Sequence, residues 1–597
     1  MNTGLSRMIL ASAVVAFGCS DSGGTADKST AAGPTTGTPS TTGTPTAAAG
    51  PTTQGTAAGT TQGTTGAGPV GSNTAAGVTT GGTGGTVTSA GPVTTGMGGA
   101  TSTSAGDTSA TSVGGATTVT GTSTTGGDPD VLTVQLGDVR QIIRGFGLNG
   151  TITDGAALPW NQLYTLEGEN ALGLSILRIG MDENGGHRAV ASGWETVKSL
   201  GARVIGSCWS APGTWKSNGK TTNGGYLKTE YYEQWATMIA EYARDNGLYA
   251  MSIGNETDFA SCAGSSCQPP LTVEYESMTY TGKQLTDFIK VAGPIFDDIA
   301  PDVKVIAPEA SLWIHVWSNL SPTGVGVEGG GYLSSDPHNC ECFSNTIDPT
   351  VEATCAAHCL NGANGELSSG GYDYGHWLAS DDAAWAAFDI MGVHEYESQV
   401  GYAWPADVRG GVKDKEIWQT EMSGVLHWPE QGPSKDIKNG VAVARWIHSA
   451  LTVGEASAWL YWWYKDYYNG DNEGLGLLMS DSSNATLAKR YYTMGNFSRY
   501  IRPDVFHMVK VAGPSPDKVM VSAFLGDDGK VVIVAINETN AAVDVPIAIA
   551  GGTAPTAMVP YVTSEAANWA AGDPVAVADG SLPAALPAMS VTTFVSE

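Results

Sequence analysis

The chain has 597 residues, with 58 Asp+Glu against 29 Lys+Arg and a net charge of −29. A nucleic-acid binder needs a basic face to displace counterions from phosphate, so this balance excludes one, and it offers nothing to anionic lipid. Charged residues are only 15% of the total, while Gly alone numbers 80 and is unevenly spread.

In chain order, Arg7, the apolar run 8–17 and Gly18-Cys19 read as an export signal over residues 1–19, the run being too short to span a bilayer. Cys19 stands where bacterial lipoproteins carry their lipidated cysteine; ordinary cleavage and secretion is the alternative. Either way the chain is expected outside the cytoplasm, as an extracellular protein or an outer-surface lipoprotein tied to a membrane through that anchor alone. Residues 20–128 hold no aromatic side chain and, from 29 to 106, no charge; Thr, Gly, Ala, Ser and Pro fill the stretch. Such a segment has almost nothing to bury against its ordering entropy and is predicted to be a disordered linker.

The segment 129–140 contains an alternating run placed to lend a strand to a later β-domain. From 141 onward brief apolar runs alternate with amphipathic helices: 141–147, 175–180, 203–208, 249–253, 303–307, 388–393, 416–420 and 457–463 read as parallel strands covered on both faces. Between them Trp235, Met238, Ile239, Tyr242 and Ala243 make one helical stripe. Val443, Trp446, Ile447, Ala450 and Leu451 repeat the spacing, with Gly454 at the C-cap. Eight strands with helical crossovers predict an α/β fold, a (β/α)8 TIM barrel over 141–504. The rival open sheet wants a Gly-rich phosphate turn after its first strand, which Gly145-Phe146-Gly147 is not. From 505 to 597 strands joined by tight turns follow, the clearest being 518–525 and 530–537 around Gly526-Asp527-Asp528-Gly529, and predict a small antiparallel β-sandwich.

Eight cysteines suit an oxidising compartment. Cys208 lies inside an apolar run and Cys19 in the leader. Cys262, Cys267, Cys340, Cys342, Cys355 and Cys359 remain as disulfide candidates, their pairing open. Cys340, Cys342, Cys355 and Cys359, with His338 and His358 nearby, could in principle hold zinc; disulfides pinning surface loops are the better reading outside the cytosol.

In such a barrel chemistry collects where the strands end. Acidic residues stand there after the second strand (Asp182), fourth (Glu256), fifth (Glu309), sixth (Glu395, Glu397), seventh (Glu421) and eighth (Asp466). Glu256 and Glu421 stand out, each closing an apolar run, amid Trp209, Trp215, Tyr396, Trp428, Trp462 and Trp463. Sugar rings present flat CH faces that pack on aromatic rings, so carboxylates among aromatics suggest a carbohydrate site. Taken singly, Asn255-Glu256 is as readily a surface turn, and Glu421 an ion-pair partner. As a pair they fit retaining glycoside hydrolysis. That chemistry needs two carboxyl groups about 5–5.5 Å apart, one protonated to release the leaving oxygen and one ionised to attack the sugar carbon. Mutual repulsion raises one of the two pKa values.

Five stretches in order carry a family resemblance: LSILRIG at 174–180, WSAPGTWKSN at 209–218 leading to GGYL at 224–227, Asn255-Glu256, Thr420-Glu421, and LAKRYYTMGNFSRYIRP at 487–503. Together they resemble glycoside hydrolase family 30, most closely its bacterial xylanase branch, over 141–597. The resemblance implies a double-displacement endo-β-1,4-xylanase acting on xylan or glucuronoxylan, with Glu256 as acid/base and Glu421 as nucleophile. It implies that Arg178 holds the nucleophile ionised, Asn255 bonds the sugar 2-hydroxyl, His394 and Tyr396 lie near the nucleophile, and Trp209 and Trp463 are subsite aromatics. A monomer with a polysaccharide substrate and no cofactor or metal is expected. Hydrolysis of a β-1,6-glucan, a β-1,6-galactan or a glucosylceramide-type substrate would use the same pair, whereas a surface glycan-binding lipoprotein without turnover has no need of it. Thr257 stands where the family usually has proline. After strand eight Lys465 is the one cation, where glucuronoxylan-specific members carry an arginine for the acidic side group, so dependence on glucuronic acid lacks its usual residue. A cysteine-bearing insertion at 339–371 also falls between strands five and six, where it could reshape the subsites.

Overall fold

The structure, a computed structural model, describes residues 131–151, 156–258, 275–311, 313–316, 374–395, 414–423, 436–467, 476–480 and 485–597. The expectations placed on the leader and linker, on Cys19, on the six candidate disulfide cysteines with His338 and His358, on Tyr396, Glu397 and Trp428, and on the insertion at 339–371 lie outside these residues; so does the side chain of Asp466.

Eight parallel strands close into a barrel: β1 (Gly145–Asn149), β2 (Ile176–Met181), β3 (Arg203–Cys208), β4 (Ala250–Ser252), β5 (Lys304–Ala310), β6 (Ile390–Val393), β7 (Glu416–Gln419) and β8 (Ala456–Trp463). Each pairs with the next, and β8 pairs back onto β1, with Leu460 opposite Gly147 and Gly147 opposite Ile176. Successive side chains point to opposite faces and both faces are buried, which explains why each run is largely apolar. Ile176, Ile205, Ala250, Ile306, Ile390, Trp418 and Ala458 fill the barrel interior. Their neighbours Leu177, Val204, Met251, Val305, Met391, Ile417 and Trp459 belong to the core shared with the helices. Two residues further along the inner face come Arg178, Ser207, Ser252 and Thr420, all buried. The interior therefore turns from apolar to polar toward the C-terminal mouth.

Helices α1 (Tyr232–Asp245), α2 (Gly282–Ile299), α3 (Ile437–Thr452) and α4 (Lys489–Ser498) cover the outside. In α1 the buried side chains include Trp235, Ile239, Tyr242 and Ala243, the stripe that the spacing predicts. A reciprocal cap starts α2: the Gln284 N–H donates to Thr281 Oγ1 at 3.1 Å and the Thr281 N–H to Gln284 Oε1 at 3.0 Å. Among the described residues no helix is long and apolar enough to cross a membrane.

The first expected strand, 141–147, divides between two sheets. A leading strand, Thr133–Ile142, pairs antiparallel with β9 (Phe506–Ala512) and parallel with β12 (Val543–Ala550), and β1 begins only at Gly145. Gly145 makes the change of sheet possible, with φ 134° and so little room that a Cβ would lie 2.0 Å from Ser175 Oγ. Apolar residues stand on both sides of the break, Ile142-Ile143 before Arg144 and Gly145-Phe146 after it, so the sequence reads as one run.

The leading strand, β9, β10 (Val519–Gly526), β11 (Val531–Asn537), β12, β13 (Ala557–Thr563), β14 (Ser581–Leu586) and β15 (Ser590–Ser596) make one curled, mostly antiparallel sheet. Its strands face one another across Val134, Ile533, Ile547, Leu582 and Phe594. β11 is buried on both faces: Val531, Ile533 and Ala535 point into that core, while Val532, Val534 and Ile536 join the core of the barrel. Asn496 Nδ2 donates to the Tyr561 carbonyl at 3.0 Å and Trp569 Nε1 to the Tyr492 carbonyl at 2.6 Å, which fastens the sheet to α4.

Candidate active site

Glu256 and Glu395 follow β4 and β6, Glu309 lies at the end of β5, and all three have left-handed backbone, with φ of 45°, 54° and 54°. Such conformations cost on the order of 1–3 kcal/mol each in a residue with a Cβ and gather at functional sites. Adjacent strand ends are tied together: the Glu256 N–H donates to the Glu309 carbonyl at 3.0 Å, His394 to Ala310 at 2.8 Å and Thr420 to Val393 at 3.0 Å.

Arg178, inward-facing on β2 and fully buried, organises the mouth. Its Nε is 3.1 Å from Glu309 Oε1, Nη1 donates to Glu421 Oε2 at 2.9 Å, and Nη2 donates to Asn255 Oδ1 at 2.5 Å. Burial works against its charge, but Glu309 and Glu421 more than offset that, so the guanidinium is held charged. Glu309 Oε2 accepts from Ser207 Oγ at 2.5 Å. Burial opposes the ionisation of Glu309 as well, yet Arg178 and His394 pull its carboxyl down to about 2, which makes it a standing anion.

His394, also fully buried, sits among three carboxylates. Its Nδ1 is 2.8 Å from Glu256 Oε1 and 3.7 Å from Glu421 Oε1, and its Nε2 is 3.9 Å from Glu309 Oε1. Burial disfavours the cation, but Glu421, Glu256 and Glu309 reverse this and raise the ring to about 10. At neutral pH it is an imidazolium that donates from Nδ1 to Glu256. Burial raises Glu256 to about 7, with His394 opposing and the charges of Glu421 and Asp258 reinforcing. A carboxyl that keeps its proton up to about pH 7 thus stands beside a guanidinium-paired carboxylate.

One atom each of Glu256, His394 and Glu421 lies within 4.8 Å of the other two. Three such atoms could span a cation, but Arg178 and the imidazolium already place two positive charges against them. The spacing of the carboxylates suits a retaining pair, for which about 5–5.5 Å is needed.

The structure separates the other candidates. Asn255 joins the centre through Arg178. Trp209 is only 2% exposed, with the guanidinium carbons of Arg178 and Arg188 over its ring at 4.8 and 4.6 Å. Trp463, half-buried at the end of β8, stacks on Trp462 with centroids 5.7 Å apart, and Trp462 is 6.5 Å from Trp209, so an aromatic group flanks the carboxylates. Asp182 serves its own turn, accepting from the Asn184 and Gly186 N–H groups at 2.8 Å. Glu395 Oε2 accepts from the Trp313 N–H at 2.5 Å and so holds a neighbouring short helix. Ser207, Gln419 and Arg188 belong to the site yet carry no strand-end motif. For Ser207 and Gln419, whose Nε2 donates to the His394 carbonyl at 2.6 Å, the available signal is a polar residue closing an apolar strand.

Residues 508–594 match the glycosyl hydrolase family 30 beta sandwich domain. Over 490 residues, 78% of this chain and 91% of the relative, the chain is 28% identical to the glucuronoxylanase XynC of Bacillus subtilis (strain 168). It is similar to the solved GH30 endoxylanase of Clostridium papyrosolvens, with 26% identity and a TM-score of 0.53 over 78% of this chain and 100% of that one. The family 30 subfamily 8 xylanase of Clostridium acetobutylicum gives 26% identity and a TM-score of 0.54 over 78% and 99%. A closed barrel with an attached β-sandwich thus carries the family 30 β-sandwich domain at its C-terminal end and is similar along most of its length to xylanases of glycoside hydrolase family 30.

Proposed function

We propose that this chain is an exported endo-β-1,4-xylanase that cleaves with retention of anomeric configuration. The observation that carries this is the pairing of Glu256 and Glu421 within 4.8 Å at the barrel mouth. In the first step Glu421 attacks the anomeric carbon while Glu256 gives its proton to the leaving glycosidic oxygen; the carbon–oxygen bond breaks and a glycosyl ester forms on Glu421. In the second step Glu256, now a carboxylate, takes a proton from water as the water oxygen attacks the same carbon, and Glu421 departs. Two inversions restore the configuration and return Glu256 to its acid form. His394 donates to Oε1 of Glu256, leaving Oε2 to carry the proton in transit. Arg178 supplies the counter-charge that Glu421 needs both before attack and on leaving. Asn255, its Oδ1 held by Arg178, keeps Nδ2 to donate to the sugar 2-hydroxyl.

Xylan is assigned because the relatives are xylanases and the chain keeps the family pair. Lys465 in place of an arginine after β8 favours an enzyme that does not require glucuronic acid substituents. Incubation with glucuronoxylan and with unsubstituted xylan should release short oligosaccharides from both. Failure to cut any xylan removes this assignment, and cleavage of a β-1,6-glucan or β-1,6-galactan instead moves it to another glycan.

The chain would meet its polymer outside the cell as a monomer, tethered through Cys19 and the segment 20–128, with disulfides among its six loop cysteines. The leader-like residues 1–19 support this. Incorporation of labelled fatty acid that disappears in Cys19→Ala is the expected result; equal labelling of the variant contradicts it.

A further inference from the structure

Glu309 is the third carboxylate of the centre, and the two chemical steps use neither of its oxygens. Its position is built by the fold. The β5–β6 ladder shifts register between Pro308 and Ala310, so Glu309 is the extra residue of a bulge whose φ of 54° re-aims the side chain. Gly392 on β6 leaves the space: a Cβ there would lie 3.3 Å from Glu309 Cα and 2.6 Å from Ile306 Cγ2. The carboxylate is fully buried, bound by Ser207 Oγ on one oxygen, with Arg178 Nε at 3.1 Å and His394 Nε2 at 3.9 Å from the other.

We propose that Glu309 is a positioning residue that acts on both members of the pair through their cations: it holds the guanidinium that Arg178 presents to Glu421, and it sustains the imidazolium that His394 presents to Glu256. This rests on the roles assigned above to Glu256 and Glu421.

A charge count supports it. The groups around Glu309 are Arg178 from β2, Ser207 and Cys208 from β3, Glu256 and Asp258 after β4, His394 after β6 and Glu421 after β7. Burial keeps the Cys208 thiol neutral. Asp258 is answered separately by Ser311, which donates from N–H and Oγ, and by His315 Nδ1 at 2.7 Å. Below about pH 7, where Glu256 holds its proton and is neutral, two cations, Arg178 and His394, then face two anions, Glu309 and Glu421. Deleting the charge of Glu309 would seal an unanswered positive charge in a buried site, a costly state that proton release relieves. The groups able to release a proton are His394 and Glu256, so the acid would be spent at the pH where it is needed.

The test is the isosteric Glu309→Gln, with its fold confirmed by a cooperative thermal melt, read in two ways. In the unmodified protein ¹⁵N NMR of the histidine rings, with the His394 signal identified by its loss in His394→Asn, should show an imidazolium at neutral pH. In Glu309→Gln that ring should titrate at least about one pH unit lower. In parallel the basic limb of kcat/KM should move down by roughly one pH unit, with kcat at neutral pH falling about tenfold and KM changing little. Glu309→Asp, which keeps the charge but withdraws it from Arg178, should lower kcat while leaving the limb in place. An unmoved His394 titration in folded Glu309→Gln overturns the proposal, as does a limb displaced equally in Glu309→Asp. Should no glycan be cleaved at all, the assigned function fails, while the His394 titration still decides the role of Glu309.

Discussion

Arg178 Nη1 donates to Glu421 Oε2 at 2.9 Å while the same guanidinium reaches Asn255 with Nη2 and Glu309 with Nε, so one buried side chain joins the ends of β4, β5 and β7. A guanidinium has donors on three atoms of a rigid plane; an ammonium is a single point charge. Arg178→Lys is therefore expected to lower kcat on the order of a hundredfold, through loss of the fixed geometry at Glu421. Arg178→Ala leaves buried carboxylates unanswered and should cost about 3–5 kcal/mol of stability, measured by denaturant unfolding. Unchanged kcat in Arg178→Lys would mean that the carboxylate is not positioned by this contact.

Glu256 must be protonated to release the leaving oxygen, and its carboxyl is raised to about 7. The basic limb of kcat/KM on xylan is therefore expected near that value, with activity falling about tenfold per pH unit above it. Glu256→Ala should lose xylan cleavage but still react with an aryl xyloside whose leaving group needs no proton. Azide, attacking the glycosyl ester from the vacated side, should then speed turnover and yield a β-glycosyl azide. A variant that gives no azide adduct would count against Glu256 as the acid/base.

Gly180 on β2 makes room for Trp209. A Cβ there would lie 3.0 Å from Trp209 Cζ3 and 3.0 Å from Arg188 Cβ. Gly180→Ala should displace the ring that lies beneath both guanidinium groups, costing about 1–3 kcal/mol and raising KM more than it lowers kcat. A melting temperature and KM equal to those of the parent would show that the ring has slack.

Stability at low pH should report Glu309. Its carboxyl is depressed from 4.5 to about 2 in the folded chain. The unfolded chain thus binds its proton first as pH falls, so the contribution is complete above the unfolded value and is lost as pH drops through the folded one. The difference in unfolding free energy between parent and Glu309→Gln is expected to be largest near neutrality and to shrink as pH approaches about 2. A difference that grows with acidity contradicts the assignment of Glu309 as an anion.

Much of the barrel is legible in the residues because a strand buried on both faces must be apolar at nearly every step, as Ile176 to Met181 is apart from Arg178. The passage from the leading strand to β1 is hidden because Ile142 and Ile143 lead on to Gly145-Phe146-Gly147 with Arg144 the one charge between them, so two pieces of different sheets read as one run. β14 escapes detection because Pro583 interrupts it, a residue tolerated there since the strand lies at the edge of the sheet, paired with β12 alone. At the mouth, Asp182, Glu256, Glu395 and Glu421 look alike as strand-terminal acids. What separates them is where the backbone turns and which N–H groups lie nearby: Asp182 answers its own turn and Glu395 a neighbouring helix, while Glu256 and Glu421 converge. Glu309 depends on a bulge, which leaves no mark in the order of residues.

The most direct test of a retaining Glu256–Glu421 pair is the anomeric form of the first product, followed by ¹H NMR during early hydrolysis of xylan or of an aryl β-xylobioside. The β-anomer should appear first and the α-anomer only later, by mutarotation. An α-anomer formed at once would mean a single displacement by water, which needs carboxyl groups about 6.5–9.5 Å apart and cannot be reconciled with these two side chains acting as acid/base and nucleophile.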